Sequence, residues 1–308
     1  MVRDVKWAES RTLDGAQATF AKKVFLQLHD SVLQCDEMDV RLMRPLDFSG
    51  DRPDDEDVEI RDVSCRNGVH VEIYDWEENR IVGIRKGDLT QFYLDYQSGH
   101  FQGDGPGLIN HWSRNAGRGI AVAQSKPAQA NTPAASNQLE WEHISVAFDD
   151  LLRGNFETRT AELHGRVRMT YAPVRHVSET FSRNDLSEPS HSAEHAVWLG
   201  CNQLAIEMLS RPDENQQTPD GQDDYLVMHA KGECEIEGQL FNGKADSLSY
   251  DESKEQFTLR GKGDREASIY YRERLQSESI RIGAQTIWAF PSLGEYTFEK
   301  SSGFQGTR

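Results

Sequence analysis

The stretch "GKADSLSYDESKEQFTLRGKG", residues 243–263, decides the fold. Apolar and polar residues alternate in its first half, a short polar turn follows, and the alternation resumes through Phe257 and Leu259. A period of two is typical of a β-strand with one buried face. The stretch therefore predicts two antiparallel strands that end on a Gly-x-Gly sequence, Gly261 and Gly263.

An earlier stretch, "TQFYLDYQSGHFQGDGPG" at residues 90–107, has the same order and also ends on Gly-x-Gly, at Gly103 and Gly105. A dinucleotide-binding loop requires a third glycine at a fixed spacing, between a strand and a helix. Here the third glycine comes one residue early, behind Pro106, and the later stretch has no third glycine. We therefore interpret both pairs as one corner of a repeated β structure, where glycine permits positive φ.

Two cysteine-containing stretches extend the repeat. "CDEMDVRLMRP" begins at Cys35 and "CNQLAIEMLSRP" begins at Cys201, and each has three alternating apolar residues before Arg-Pro. A second cysteine follows in each case, Cys65 and Cys234, upstream of the Gly-x-Gly stretch. Landmarks in the same order indicate an internal duplication.

The duplication predicts the domain organisation. The first copy is expected to occupy residues 1–115 and to be truncated at its N-terminus. The second is expected to occupy residues 139–308, with a loop insert at about 172–195 that is rich in Ser, Glu and His. Residues 116–138 lose the alternation and are dominated by Ala, Gln, Asn, Ser and Pro, which predicts a flexible linker or a long loop.

Composition narrows the class of protein. Six Trp, thirteen Phe and nine Tyr are enough to build hydrophobic cores. The net charge of −17 would repel nucleic acid, and no basic stripe offsets it. No run of about 18 apolar residues is present, so no transmembrane segment is predicted. Alternating runs such as "VFLQL", "VHVEI", "ISVAF" and "VRMTY" recur between Gly, Asn, Asp and Ser clusters, which predicts an all-β chain of many short strands.

Residues 243–263 resemble the OstA-like repeat of the lipopolysaccharide-transport proteins, with Ala-x-x-Leu-x-Tyr-Asp, a turn, and Phe-x-Leu-x-Gly. "AELHGRVRMTY" at 161–171 is similar to the strand that precedes that repeat, and "FYLDYQSGHFQGDGPG" is similar more loosely. The resemblance implies a stacked antiparallel β-jellyroll, also called a β-taco, here in two tandem copies. It also implies a periplasmic or cell-envelope location, a part in outer-membrane biogenesis, and no catalytic residue, metal or cofactor.

The resemblance further implies an apolar groove that binds the acyl chains of a glycolipid such as lipopolysaccharide. Exposed edge strands would join the chain end to end with other β-jellyroll transport proteins. The predicted groove lining consists of apolar residues at every second strand position: Val24, Leu26, Leu28, Val69, Val71, Ile73, Val146, Phe148, Val167, Met169, Leu248 and Tyr250. The alternative for each of these positions is a closed hydrophobic core.

Two further patterns leave alternatives open. "HSAEH" at 191–195 matches the His-x-x-Glu-His pattern of some zinc peptidases, but Pro189 precedes it and a strand follows, so we expect a solvated loop. If the protein is exported, Cys35–Cys65 and Cys201–Cys234 disulfides are expected, and otherwise the four cysteines are half-buried free thiols.

Three function classes follow. The first is a non-catalytic lipid-binding and transport segment. The second is a structural or adhesion module with a closed core and no lipid. The third is a carbohydrate-processing enzyme, which would require carboxylates clustered on one sheet face, whereas Asp54, Asp55, Glu56, Asp57, Asp223 and Asp224 lie in predicted loops.

Overall fold

The computed structural model describes residues 4–6, 10–27, 30–45, 59–114, 141–188, 190–210, 224–272, 277–290 and 295–306. The first strands are β1 Asp4–Lys6, β2 Ser10–Asp14, β3 Gln17–Gln27, β4 Ser31–Leu42, β5 Ile60–Glu77, β6 Arg80–Asp95, β7 His100–Asp104, β8 Gly107–Arg114 and β9 Trp141–Phe148. The others are β10 Leu151–Asn155, β11 Thr160–Val174, β12 Val197–Ser210, β13 Asp224–Gly238, β14 Phe241–Asp251, β15 Gln256–Arg260, β16 Ala267–Tyr271, β17 Ile280–Phe290 and β18 Glu295–Gly306. The predicted linker 116–138, Leu28 and the carboxylates of the loop at 54–57 lie outside the described residues.

The predicted all-β class is confirmed, because the eighteen described strands form an antiparallel sheet. The alternating run over residues 17–33, which also has some helical character in sequence, forms β3 and the start of β4. Among the described residues, α-helix is confined to a single turn, α1 at His191–Glu194. No helix in the described part of the chain is long and apolar enough to cross a membrane.

The contacts divide the chain into two units. The first unit consists of residues 1–110 with 148–161, so it contains β1–β7 and β10. The second consists of residues 111–147 with 162–308, and it contains β12–β18 with most of β9 and β11. β10 therefore belongs to the first unit although the sequence predicted the second copy to begin at residue 139.

Each unit has a bulge at a corresponding place. In β4 and β5 the register shifts between Gln34 and Glu37, so that Cys35 and Asp36 face residues 67–69, of which Asn67 and Gly68 have φ of 63° and 74°. In β12 and β13 it shifts between Gly200 and Gln203, opposite Gly232 and Glu233, with φ of 77° and 52°. A bulge inserts an extra residue, and positive φ there favours Gly or Asn.

The bulges align Cys35 with Cys201 but not the second pair of cysteines. Cys234 directly follows its bulge, in the position that Val69 has in β5, whereas Cys65 precedes the bulge. Alternation in the sequence does not reveal a bulge. Cys65 and Cys234 therefore have similar places in the sequence but different places relative to the bulge.

One glycine of each Gly-x-Gly stretch, Gly105 and Gly261, has similar backbone contacts. Gly105 N–H donates to Asp150 O at 2.7 Å, and Gly261 N–H donates to Gln285 O at 3.0 Å, so Gly105 corresponds to Gly261. A Cβ on either glycine would overlap backbone atoms. Of the four predicted corner glycines only Gly263 has positive φ, at 62°. Close backbone approach, rather than the expected left-handed conformation, accounts for glycine at 105 and 261.

Candidate functional site

One face of the first unit carries the buried Val69 and Leu89 and is here called the inner face. A row of cross-strand neighbours lies on it, here called the first row: Leu26, Leu33, Val71 and Gly87. Leu26 is buried, whereas Leu33, Val71 and Gly87 are half-buried. A Cβ placed on Gly87 would have no heavy atom of the described residues within 4 Å. The first row is therefore an apolar surface that solvent reaches.

The corresponding row of the second unit, Leu199, Ile236 and Gly243, is closed and is here called the second row. Its members are buried, and a Cβ on Gly243 would lie 2.8 Å from Leu259 Cδ2 and 3.0 Å from Ile236 Cγ2. In the second unit Leu259 pairs with Leu248, and at the corresponding place in the first unit Gly103 pairs with Phe92. The first unit thus has a glycine where the second has the leucine that covers its row.

The second unit also has a small, partly open apolar recess with a cavity volume of about 10 Å³. Phe241, Phe257, Ile269 and Tyr296 are among its lining residues. Pockets for small molecules typically measure roughly 300–1,000 Å³. The recess is therefore smaller than a typical ligand site and does not replace the closed second row as a binding surface.

A charged pair lies beyond the apolar end of the first row. Arg85 pairs in register with Ile73, and Asp75 pairs with Gly83, so these side chains share the inner face with Val71. Arg85 and Asp75 form an ion pair, and their side chains are 49% and 40% exposed. The inner face of the first unit therefore changes along β5 and β6 from a buried core, through a half-buried apolar row, to a solvated ion pair.

The opposite face of β5 and β6 is polar. His70 hydrogen-bonds Asp88 at 2.7 Å and Glu72 at 3.1 Å, and Lys86 donates to Glu72 at 2.8 Å. Hydrogen bonds from Lys86 first, and then from Tyr74, lower the pKa of the Glu72 carboxyl to about 2. Because charged residues occupy the outer face, apolar cargo would be accommodated only on the inner face.

The predicted groove residues divide into two groups. Val71 and Ile73 are half-buried on the inner face, and Leu28 lies outside the described residues. The other nine are buried: Val24, Leu26, Val69, Val146, Phe148, Val167, Met169, Leu248 and Tyr250. In this conformation protein atoms cover those nine side chains, so a ligand would reach them only if the strands moved apart.

All four cysteines are buried, free thiols. Cys35 Sγ donates to Glu37 O at 3.2 Å. Hydrogen bonding by the neighbouring Cys65 thiol lowers the pKa of Cys35, and the same interaction raises the pKa of Cys65. Burial raises the pKa of Cys201 to about 12 and that of Cys234 to about 11. The Cys35–Cys65 pair therefore contains the thiol that ionises more readily.

The segment that follows β11 is ordered, contrary to the expected solvated loop. Phe181, Leu186, Ala193 and Ala196 form a small core with Trp198 and Ala172. The Arg183 guanidinium lies 3.8 Å from the centre of the Trp198 ring and pairs with Glu237 at 2.7 Å. Periodicity did not predict this cluster, because its residues have no strand or helix spacing and form a core only against the sheet.

The His-x-x-Glu-His stretch belongs to this ordered segment. Ser190 Oγ accepts a hydrogen bond from Ala193 N–H at 3.1 Å, which caps the single turn of α1, and Ala193 is fully buried. Among the described residues, no group of three or more His, Cys, Asp and Glu has a metal-binding arrangement. The stretch forms a capped turn that anchors the segment through Ala193.

Three residues of the first unit were missed in the sequence: Leu33, Gly87 and Arg85. A signal was available, because a glycine interrupts the alternation of both "RKGDL" and "FNGKAD". No protein-family model matches the chain, and no curated protein is significantly similar to it. The function is therefore argued from the inner faces of the two units.

Proposed function

We propose that the chain is a non-catalytic segment of the cell envelope that binds and relays a glycolipid such as lipopolysaccharide through its apolar β interior. It would be built as two tandem OstA-like β-jellyroll copies. Corresponding bulges at Cys35 and Cys201 and the similar backbone contacts of Gly105 and Gly261 support the duplication. Edge strands of such copies would pair with neighbouring β-jellyroll proteins in the periplasm.

The first row is the observation that carries the proposal. Water-accessible apolar surface on the inner face costs free energy, at roughly 25 cal/mol per Å² of apolar area that could be buried. An acyl chain over Leu33, Val71 and Gly87 would remove that surface from water. The ion pair at the end of the row would leave a polar head group solvated.

Site-specific photocrosslinking tests this proposal. A benzophenone amino acid replaces either Leu33, on the inner face, or its neighbour Gln34, which is exposed. Both variants are incubated with purified lipopolysaccharide, irradiated and analysed by mass spectrometry. We expect an adduct at residue 33 and little at residue 34. Equal labelling of the two positions, or none, would argue against lipid binding on the inner face.

A structural or adhesion module with a closed core is the second candidate. The burial of the second row and of nine predicted groove residues favours it. This alternative predicts that the protein, purified natively from a Gram-negative host, contains no lipid and does not bind a hydrophobic dye. Lipid that co-purifies with the chain would exclude the closed-core module.

A further inference from the structure

The first row is narrow and has different residues at its two ends. Leu89 is buried on one side of Gly87, with its Cδ1 3.1 Å from the position of a Cβ on Gly103, and Arg85 lies on the other side. Side chains at every second strand position share a face. The uncovered surface between Leu89 and Arg85, here called the floor, is therefore one residue wide, at Gly87. A floor of this width admits one extended apolar chain.

We propose that the first row binds one apolar chain of an amphiphile and that Arg85 binds its anionic head group. This inference rests on the proposed function and adds which unit binds, how many chains it takes and which residue selects the head group. The ligand class is a single-chain segment that ends in a carboxylate or phosphate.

Arg85 suits this role because its guanidinium binds a carboxylate or phosphate through two parallel hydrogen bonds. Its present partner is Asp75, and both side chains are substantially exposed. Exposed ion pairs contribute little to stability. An anionic head group therefore takes the place of Asp75 on Arg85 at small cost, while Asp75 becomes solvated.

The second unit lacks both features. In the β13–β14 register Gly243 pairs with Ile236 as Gly87 pairs with Val71, which places Phe241 where the first unit has Arg85. Phe241 lines the small recess, and Leu259 covers Gly243. At these positions the described part of the second unit consequently has neither the open floor nor a cation at its end.

The net charge of −17 does not prevent this recognition. Charges separated by more than about 8 Å are largely screened at physiological salt, whereas a guanidinium and a bound head group are in contact. Screening therefore weakens the repulsion from distant carboxylates more than the attraction to Arg85.

Isothermal titration calorimetry on the full chain tests the inference with dodecanoate and dodecyltrimethylammonium, whose alkyl chains differ by one carbon and whose charges are opposite, below their micelle concentrations. Native mass spectrometry gives the stoichiometry. We expect one dodecanoate per chain and at least about tenfold tighter binding than for the cation.

Arg85→Gln should bring the two affinities within about threefold. Gly87→Leu, which fills the floor, should abolish the site.

Lys86→Leu is the matched control, because it adds the same side chain to the outer face of the same strand. It should bind both probes as the parent does. Gly87→Ala tests the floor with a smaller change if Gly87→Leu fails to fold, and it should weaken dodecanoate binding.

The outcomes separate the two proposals. Undiminished binding by a folded Gly87 variant would overturn this inference and leave lipid binding elsewhere in the chain intact. An unchanged head-group preference in Arg85→Gln would remove Arg85 from the site. Failure of the parent to bind either probe or lipopolysaccharide would overturn the proposed function itself.

Discussion

At the residue scale, two glycines in corresponding strand positions have opposite surroundings. A methyl group on Gly87 meets open space, whereas one on Gly243 would lie 2.8 Å from Leu259 Cδ2 and 3.0 Å from Ile236 Cγ2, and both of these residues are buried. Gly87→Ala should therefore keep or slightly raise the free energy of unfolding, by up to about 1 kcal/mol, because it restricts the unfolded chain. Gly243→Ala should lower it by about 1–3 kcal/mol, because it overpacks a closed core.

Urea unfolding of the two variants measures this difference. The midpoint should fall for Gly243→Ala alone, with the dependence on urea unchanged in both. Equal midpoints would mean that the first row is as closed as the second, and the candidate site would lose its basis.

The thiols also differ between corresponding places. Hydrogen bonding by the Cys65 thiol lowers the pKa of Cys35, whereas burial raises the pKa of Cys201 and Cys234. With oxidised glutathione, the Cys35 thiolate should attack first, and Cys65 should then displace the bound glutathione as a second thiol, giving a disulfide. Peptide mapping should find Cys35–Cys65 before Cys201–Cys234. Faster formation of the Cys201–Cys234 bond would contradict this order.

At the scale of elements, the segment from residue 175 to 196 should open independently of the strands. Phe181 is buried against Trp198 and the short turns around it. Phe181→Ala removes a core aromatic, at a cost of about 3 kcal/mol, and the segment has few other buried side chains to compensate. Amides of residues 182–195 should exchange hydrogen faster, and Trp198 fluorescence should shift to the red.

Thr180→Ala is the control for this prediction, because Thr180 is exposed and adjacent to Phe181. It should leave both hydrogen exchange and fluorescence unchanged. If Phe181→Ala instead lowered protection across β12 and β13, the segment would be part of the cooperative core of the sheet.

The strands could be predicted from the sequence because alternation is a local property, and it identified β5, β9, β11 and β14. The exposure of the first row could not be predicted from the sequence, because it depends on a residue of another strand. That residue is Gly103 in the first unit, and its counterpart in the second unit is Leu259. The core around Phe181 depends in the same way on Trp198, which packs against it only in the folded sheet. Local patterns therefore gave the inward direction of Val71 but not its exposure.

At the scale of the whole molecule, the composition of each unit gives a prediction about where the chain divides. Residues 148–161 belong to the first unit and include the buried Phe148, at the end of β9, and Leu152 of β10, which pairs with β7. A fragment of residues 1–115 lacks this strand, and each missing core side chain costs about 2–5 kcal/mol. Residues 1–161 should therefore unfold cooperatively in urea, with dispersed amide resonances, whereas residues 1–115 should not. Equal unfolding midpoints for the two fragments would place the boundary at residue 115, as the sequence predicted, and would make β10 dispensable to the first unit.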